Sequence, residues 1–215
     1  FDRVAATLDQ YSDGRFREAL KVGVVGTFAT GWLLARLAGF ARAHPSIDLR
    51  ISTNNNRVDL AGEALDYAIR FGDGAWHGTH ADPLLAAPMS PLCAPSIAAK
   101  LKTPADLLHE PLLRSYRPDE WTLWFAAAGL PTPVLRGPVF DSSALMAAAA
   151  AGGHGVALAP PSMFVRELAS EQLVQPFELA IDAGRYWLTR LMSRPESDAM
   201  ARFKTWLADE IGREA

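Results

Sequence analysis

The chain has 215 residues, of which 49% are hydrophobic and 21% charged, and its formal net charge is −3. This composition is typical of a globular protein and excludes a disordered or fibrous one. At about 150 residues per domain, the length corresponds to one or two domains. The single cysteine, Cys93, excludes an internal disulfide framework and a multi-cysteine zinc site. The acidic balance argues against a large nucleic-acid-binding surface in these residues.

The start of the chain carries no targeting signal that we can identify. The first residue is Phe1, and no basic segment followed by an apolar run opens the sequence, so we predict no signal peptide. No stretch reaches about 18 apolar residues, so we also predict no membrane span. We therefore expect a cytoplasmic protein from which an upstream part has been removed.

The first third of the chain alternates between predicted strands and helices. Residues 1–15 are expected to be the end of a linker helix and a polar linker. Residues 20–25 are short, apolar and β-branched, which indicates a buried strand. The elements predicted after it are a helix at 31–43 ended by Pro45, a strand at 47–53, an asparagine turn at 54–56, a short helix at 60–64 and a strand at 65–71. This alternation predicts βαβ units and a mostly parallel sheet.

A similar alternation begins again in the second part of the chain. The predicted elements are a loop at 72–82, apolar runs at 84–87 and 91–94, helices at 95–101, 104–108, 119–128 and 142–151, strands at 112–115, 134–140, 156–159 and 186–192, and an amphipathic helix at 196–213. We therefore predict an α/β fold with two Rossmann-like lobes joined by two crossover strands. Lobe I is predicted at 16–88 and 189–215, and lobe II at 89–188.

The predicted binding site lies where strands end and helices begin. In open α/β sheets, ligands bind at the carboxyl ends of strands where the connections reverse direction. Gly26 and Thr27 stand at such a junction, and Ser142 and Ser143 repeat the arrangement after a second strand. Helix-start N–H groups and hydroxyls suit a carboxylate or an amide carbonyl, although helix capping explains the same residues. Tyr186 would add a hydroxyl if it is not simply a core aromatic.

Two arrangements that suggest other chemistry are weak. Ser142 or Ser143 could form a hydrolase triad with His154 and an aspartate. The local sequence Phe-Asp-Ser-Ser-Ala, however, lacks the Gly-x-Ser-x-Gly signature. His77 and His80 have a His-x-x-His spacing, but the Glu and the helix of the metalloprotease motif are missing. We therefore expect neither an enzyme nor a metal site.

Two glycine-containing segments also fail as cofactor motifs. Gly72 and Gly74 begin a dinucleotide-like pattern, but position 77 is a histidine where the third glycine is needed. The run Gly-Gly-His-Gly at 152–155 has no Lys-Ser or Lys-Thr after it, so it is not a phosphate-binding P-loop. We therefore expect no cofactor.

These segments together resemble the effector-binding domain of LysR-type transcriptional regulators, from about residue 16 to the end of the chain. The resemblance is carried by the opening strand followed by Gly-Thr, by Ala-His-Pro at 43–45, by Asp-Tyr-Ala-Ile-Arg-Phe-Gly at 66–72 and by the crossover at 84–93. Within the family, the segments that resemble the AmpR type, the regulators of inducible β-lactamase, are 24–31, 55–59, 74–79, 113–117, 119–122, 139–143 and 186–191.

The resemblance implies both a fold and a function. The fold is that of type 2 periplasmic-binding proteins, and the full regulator carries an N-terminal winged helix-turn-helix that contacts promoter DNA. The effectors are muropeptides. UDP-muramyl pentapeptide would hold the repressing state, and anhydromuramyl peptides would promote activation. The full regulator would be a homodimer or homotetramer with no membrane contact.

The resemblance also assigns residues. It places Thr27, Ser143 and Tyr186 in the effector pocket in the cleft between the lobes, and it associates Gly26 and Asp59 with the response to inducer. Ser142 is added by its position at the second helix start. One alternative of another class stays open from the residues alone, namely a two-lobed solute-binding protein for a small carboxylate or peptide.

Overall fold

A computed structural model describes residues 11–12, 15–54, 58–117 and 119–213. Its strands are β1 (Tyr11–Ser12), β2 (Arg15–Phe16), β3 (Glu18–Val25), β4 (Ile47–Asn54), β5 (Tyr67–Gly72), β6 (Thr79–Ala86), β7 (Ser90–Leu92), β8 (Arg114–Ser115), β9 (Val139–Phe140), β10 (Ala157–Ala159) and β11 (Arg185–Leu191). Its α-helices are α1 (Gly26–Phe28), α2 (Leu37–Ala43), α3 (Pro95–Ala98), α4 (Glu120–Ala127), α5 (Ser143–Ala151), α6 (Val165–Ala169) and α7 (Asp198–Gly212). A π-helical turn spans Ala29–Leu33, and 3₁₀ turns span Pro104–His109 and Pro161–Met163.

The described chain divides into two units, each formed from separate stretches. The first unit contains the residues up to Val25, Leu33–Leu85 and the residues from Tyr186 onward. The second contains Gly26–Trp32 and Ala86–Arg185. The short helix that follows β3 therefore belongs to the second unit. The lobe boundaries predicted from the sequence stay a prediction.

The first unit is built on a five-stranded sheet in the order β4-β3-β5-β11-β6. β3 is parallel to both of its neighbours and is almost wholly buried over its second half, as expected for a central strand covered on both faces. β11 runs against β5, because Trp187 donates to the carbonyl of Gly72 and, further along, Thr189 donates to that of Ala68. Helix α7 packs on β3 with Phe203 and Leu207 fully buried.

The second unit contains two short strand pairs that a single bridge connects. β7 and β10 pair antiparallel, β8 and β9 pair parallel, and Leu112 bridges Val156 between the pairs. Helix α4 carries Trp121 and Trp124, which are 3% and 0% exposed and thus belong to the core of this unit. The indole N–H of Trp121 donates to the carbonyl of Leu113 at 2.8 Å, which satisfies its one buried donor.

Several predicted elements differ from the observed ones for local physical reasons. Residues 60–64 form a turn rather than a helix, because Asp59 caps the first N–H groups and Ala64 takes a left-handed backbone. The strand predicted at 134–140 is reduced to Val139–Phe140, since Pro133 and Pro138 cannot donate to a ladder. β6 begins at Thr79, inside the predicted loop 72–82, and α6 was not predicted.

Other predictions lie partly outside the described residues. Residues 1–10 and 13–14 of the predicted linker, and residues 55–57 of the asparagine turn and its AmpR-type segment, are not described. Among the described residues, no helix is both long and apolar enough to cross a membrane.

Candidate functional site

The first helix start is held in place by contacts inside the second unit. Thr30 donates its hydroxyl to the carbonyl of Gly26 at 3.0 Å, and Arg166 donates to the carbonyl of Thr30 at 2.8 Å. A Cβ placed on Gly31 would lie 2.2 Å from the carbonyl oxygen of Met163, so only glycine fits this close approach. The segment that carries Thr27 is therefore fixed against the turn at Pro161–Met163.

Thr27, in the first helix start, is a nearly buried residue. Its side chain is 6% exposed, and it has no hydrogen-bond partner among the residues that the structure describes. The Thr27 side-chain oxygen is not among the fully enclosed, unpartnered atoms of the described residues. The ligand-binding role of Thr27 stays a prediction.

The second helix start, at Ser142 and Ser143, lies beside the first. Ser142 is the N-cap of α5 in extended backbone, and its Oγ accepts from the N–H of Leu145 at a long 3.5 Å. The hydroxyl of Ser143 is partly exposed and has no hydrogen-bond partner in the described part of the chain. A Cβ placed on Gly26 would lie 3.7 Å from Ser142 Oγ, so the two helix starts meet. The structure thus brings Gly26, Thr27, Ser142 and Ser143 together in one unit.

Tyr186 belongs to the first unit, where it opens β11. Its side chain is 2% exposed, and its ring lies 5.3 Å from that of Phe71 in an edge-on arrangement. The core-aromatic role considered for this residue is therefore present. The next residue, Trp187, donates to the carbonyl of Gly72 at 2.9 Å and lies over Gly74, whose φ is +90°. The end of β5 is consequently anchored to the start of β11.

Asp59 is part of a local turn in the first unit. Its Oδ1 accepts from the N–H groups of Ala61 and Gly62 at 3.1 and 2.9 Å, and its own N–H donates to Glu63 at 3.3 Å. A Cβ on Gly62 would lie 2.4 Å from Asp59 Oδ2. The carboxylate therefore organises the turn after β4. In the sheet order, β3 and β5 lie between β4 and the strand that carries Tyr186.

The geometry argues against the hydrolase arrangement. Ser143 begins α5 and His154 follows its C-terminal end, so eight helical steps of 1.5 Å separate the two ends by about 12 Å. His77 and His80 are both exposed, and His80 lies on β6. No cluster of three or more potential metal ligands occurs among the described residues.

Sequence reasoning missed the residues that hold the site in place. The contacts that fix these segments come from residues distant in sequence, namely Arg166, Met163 and Trp187. A local sequence pattern does not predict such contacts. The glycines are the only signal. Gly31 is the first residue of the helix predicted at 31–43, and the Met163 carbonyl lies where a larger residue would place its Cβ.

Comparison with known proteins identifies the class. Residues 13–212 match the family model described as the LysR substrate binding domain. A solved structure of the effector domain of the transcriptional regulator AmpR of Pseudomonas aeruginosa superposes with a TM-score of 0.90 and 59% identity, covering 93% of this chain and 98% of that chain. The fold is thus that of the effector-binding domain of a LysR-type transcriptional regulator, and the chain belongs to the LysR substrate-binding domain family.

Within that family, the similarity is to AmpR. The HTH-type transcriptional activator AmpR of Pseudomonas aeruginosa is 57% identical over 217 residues, covering 100% of this chain and 73% of that protein. A solved Citrobacter freundii effector-binding domain with a Thr-to-Val, a Ser-to-Ala and a Tyr-to-Phe substitution superposes with a TM-score of 0.88 and 54% identity, covering 91% of this chain and 100% of that chain.

These relatives decide three of the predictions. The resemblance to AmpR-type LysR effector domains and the two-lobed, type 2 periplasmic-binding-protein-like α/β fold are confirmed. Because the relatives are named transcriptional activators, the regulator class is favoured over an enzyme and over a solute-binding protein. The comparisons do not test the site residues, which stay predictions.

Proposed function

We propose that this domain senses muropeptides and thereby controls the expression of a β-lactamase. UDP-muramyl pentapeptide is the ligand of the repressing state, and anhydromuramyl peptides are the inducers. The observation that carries the proposal is the pairing of two hydroxyl-bearing helix starts in a chain 57% identical to an AmpR activator.

The chemistry of the helix starts suits a stem peptide. The first N–H groups of a helix have no intrahelical acceptor, and the helix dipole favours negative charge there. The hydroxyls of Thr27 and Ser143 can both donate and accept hydrogen bonds. They therefore match both the carboxylates and the amides of a peptide. The proposed roles are therefore direct hydrogen bonding for Thr27 and Ser143, a close backbone approach at Gly26, and capping of the helix by Ser142.

Tyr186 and Asp59, both in the first unit, have proposed roles of their own. Tyr186 is held by Phe71 and by the start of β11, so its hydroxyl has a defined position for a ligand. Asp59 acts on the response to inducer through the turn that it caps. We propose that this role is indirect, because both backbone bonds of its Oδ1 lie within that turn.

The wider assembly belongs to the same proposal. Promoter DNA is contacted by an N-terminal domain outside these residues, and the regulator acts in the cytoplasm as a homodimer or homotetramer. Repressing and inducing ligands then work by population shift. Each can move the balance between two arrangements only by as much as its affinity for them differs.

The test is a calorimetric titration of the domain with an anhydromuramyl tripeptide. Thr27→Val, Ser143→Ala and Tyr186→Phe should each weaken binding about two- to tenfold, the effect of losing one hydrogen bond. The same three kinds of substitution were combined in the Citrobacter freundii domain. Thr205→Val and Ser170→Ala, at exposed positions, are the matched controls and should bind as the parent does. Unchanged affinity in all three site variants would refute the site.

A further inference from the structure

A second cavity lies in the second unit, apart from the helix starts. It has a volume of about 420 Å³ and is bounded by β8, α4 and the extended segment that leads into β9. Its wall includes Arg114, Ser115, Arg117, Trp121, Thr122 and Thr132. None of these is acidic, and none belongs to the proposed effector site.

One of the two arginines is fully engaged by the protein. Arg117 donates to the buried carboxylate of Glu120 at 2.9 Å and to the hydroxyl of Tyr116 at 3.0 Å, and it lies over the Tyr116 ring. Its backbone N–H donates to Ser115 Oγ at 2.9 Å. This part of the cavity wall is therefore ordered and electrically balanced.

The other arginine, Arg114, brings a positive charge that forms no ion pair with the described residues. Arg114 is half-buried, and its one hydrogen bond among the described residues goes from Nη1 to the carbonyl of Gly137 at 3.0 Å. A guanidinium has five N–H donors in a planar fork, so most of its donors remain for a ligand. That fork matches the two oxygens of a carboxylate or a phosphate.

The polar rim supports the same ligand class. Ser115 lies beside Arg114 on the wall, and the exposed side chains of Thr122 and Thr132 place hydroxyl groups among the lining residues. The indole face of Trp121 supplies an apolar wall, held by its bond to Leu113. A charged fork beside hydroxyls and an aromatic wall is the composition of a small-molecule site.

We propose that this cavity is a second binding site, which takes the oxyanion group of a phosphate- or carboxylate-bearing ligand on Arg114. It goes beyond the proposed function, because none of its residues takes part in the site at the helix starts. Two sources of the oxyanion fit. Val139 and Ser142 are three residues apart and at most about 11 Å along the chain, so one large effector with a diphosphate can reach both sites. A separate small anion is the other source.

The test uses inorganic pyrophosphate and uridine 5′-diphosphate as probes on the whole 215-residue chain. The Trp121 indole N–H signal, followed by NMR, reports occupancy of the cavity. Arg114→Gln should weaken both probes about tenfold or more, because it removes a charged donor. Arg114→Lys should recover part of that loss. Arg136→Gln removes the same charge from an exposed position outside the cavity and should change affinity less than twofold.

The outcomes separate this site from the proposed effector site. Ser143→Ala should leave pyrophosphate binding unchanged, and Arg114→Gln should leave the affinity for an anhydromuramyl tripeptide unchanged. If UDP-muramyl pentapeptide loses affinity in Arg114→Gln, the effector itself supplies the oxyanion. If Arg114→Gln weakens the binding of pyrophosphate but not that of UDP-muramyl pentapeptide, a separate anion is the ligand. A wild-type Trp121 signal that does not move with millimolar pyrophosphate would overturn the proposal, as would equal losses in Arg114→Gln and Arg136→Gln.

Discussion

Gly31 lies against the backbone of Met163 so closely that a Cβ on Gly31 would be 2.2 Å from the Met163 carbonyl oxygen. The contact joins the helical segment that carries Thr27 to the turn at Pro161–Met163. Met163 lies 132 positions after Gly31 in the sequence. Since backbone cannot yield as a flexible side chain does, this contact sets the position of the first helix start.

Gly31→Ala should therefore destabilise the domain by about 1–3 kcal/mol, the usual cost of overpacking, and should weaken muropeptide binding by moving Thr27. Gly39→Ala is the control, because Gly39 lies in α2 with no atom near its Cβ position and alanine favours helix by about 1 kcal/mol. Urea denaturation measures both. Equal stability of the two variants would contradict the constraint.

Gly74 and Gly78 provide a matched pair for the contact with Trp187. Both have positive φ, so alanine is strained at either position, but only a Cβ on Gly74 would meet Trp187, at 2.7 Å. Gly74→Ala should lower the melting temperature by more than Gly78→Ala does, and should alter Trp187 fluorescence. If the two variants melt together, the indole is not confining the loop.

Tyr67 should make stability fall in alkaline solution. Burial, and then its hydrogen bond to Glu196, raise the pKa of Tyr67 above its usual value of about 10. The folded state holds the phenol proton more tightly, so this stabilisation is complete below pH 10 and is lost as pH rises. We expect a loss of about 1 kcal/mol in unfolding free energy between about pH 10 and 11. Tyr67→Phe should remove that part of the slope, whereas Tyr116→Phe should retain it.

Cys93 should be inert in the native protein. Burial, assisted by the charge of Glu110, raises the pKa of its thiol to about 11, and the side chain is 0% exposed. Because only the thiolate reacts, alkylation by iodoacetamide near neutral pH should be about 100-fold slower in the folded chain than in the denatured chain. Rates within a few-fold of each other would show that this region opens readily.

Much of the fold follows from local pattern in the sequence. The apolar, β-branched run before Gly26 predicts the buried strand β3, and the serine pair after Phe140 predicts the start of α5. Both signals are local, since burial on both faces selects apolar residues and a serine at the cap satisfies orphan N–H groups. The sequence therefore predicts both helix starts and assigns them to one site, and the structure brings Gly26 close to Ser142.

The rest depends on contacts between distant parts of the chain. The residues around Gly31 do not predict its contact with the Met163 carbonyl, and those around Gly74 do not predict its contact with the Trp187 indole. The helix predicted at 60–64 is absent. Asp59 caps a single turn there, and the chain then enters strand β5. Capping residues start turns and helices alike, and only the space available decides between them.

The most direct test of muropeptide sensing is a titration of the wild-type domain with UDP-muramyl pentapeptide, beside UDP-N-acetylglucosamine, which has no stem peptide. The account predicts saturable binding of the pentapeptide ligand, weakened by Ser143→Ala and at least about tenfold tighter than that of the peptide-free nucleotide sugar, because several hydrogen bonds reach the stem. Equal affinity for the two ligands, or no saturable binding of the pentapeptide ligand, would contradict it.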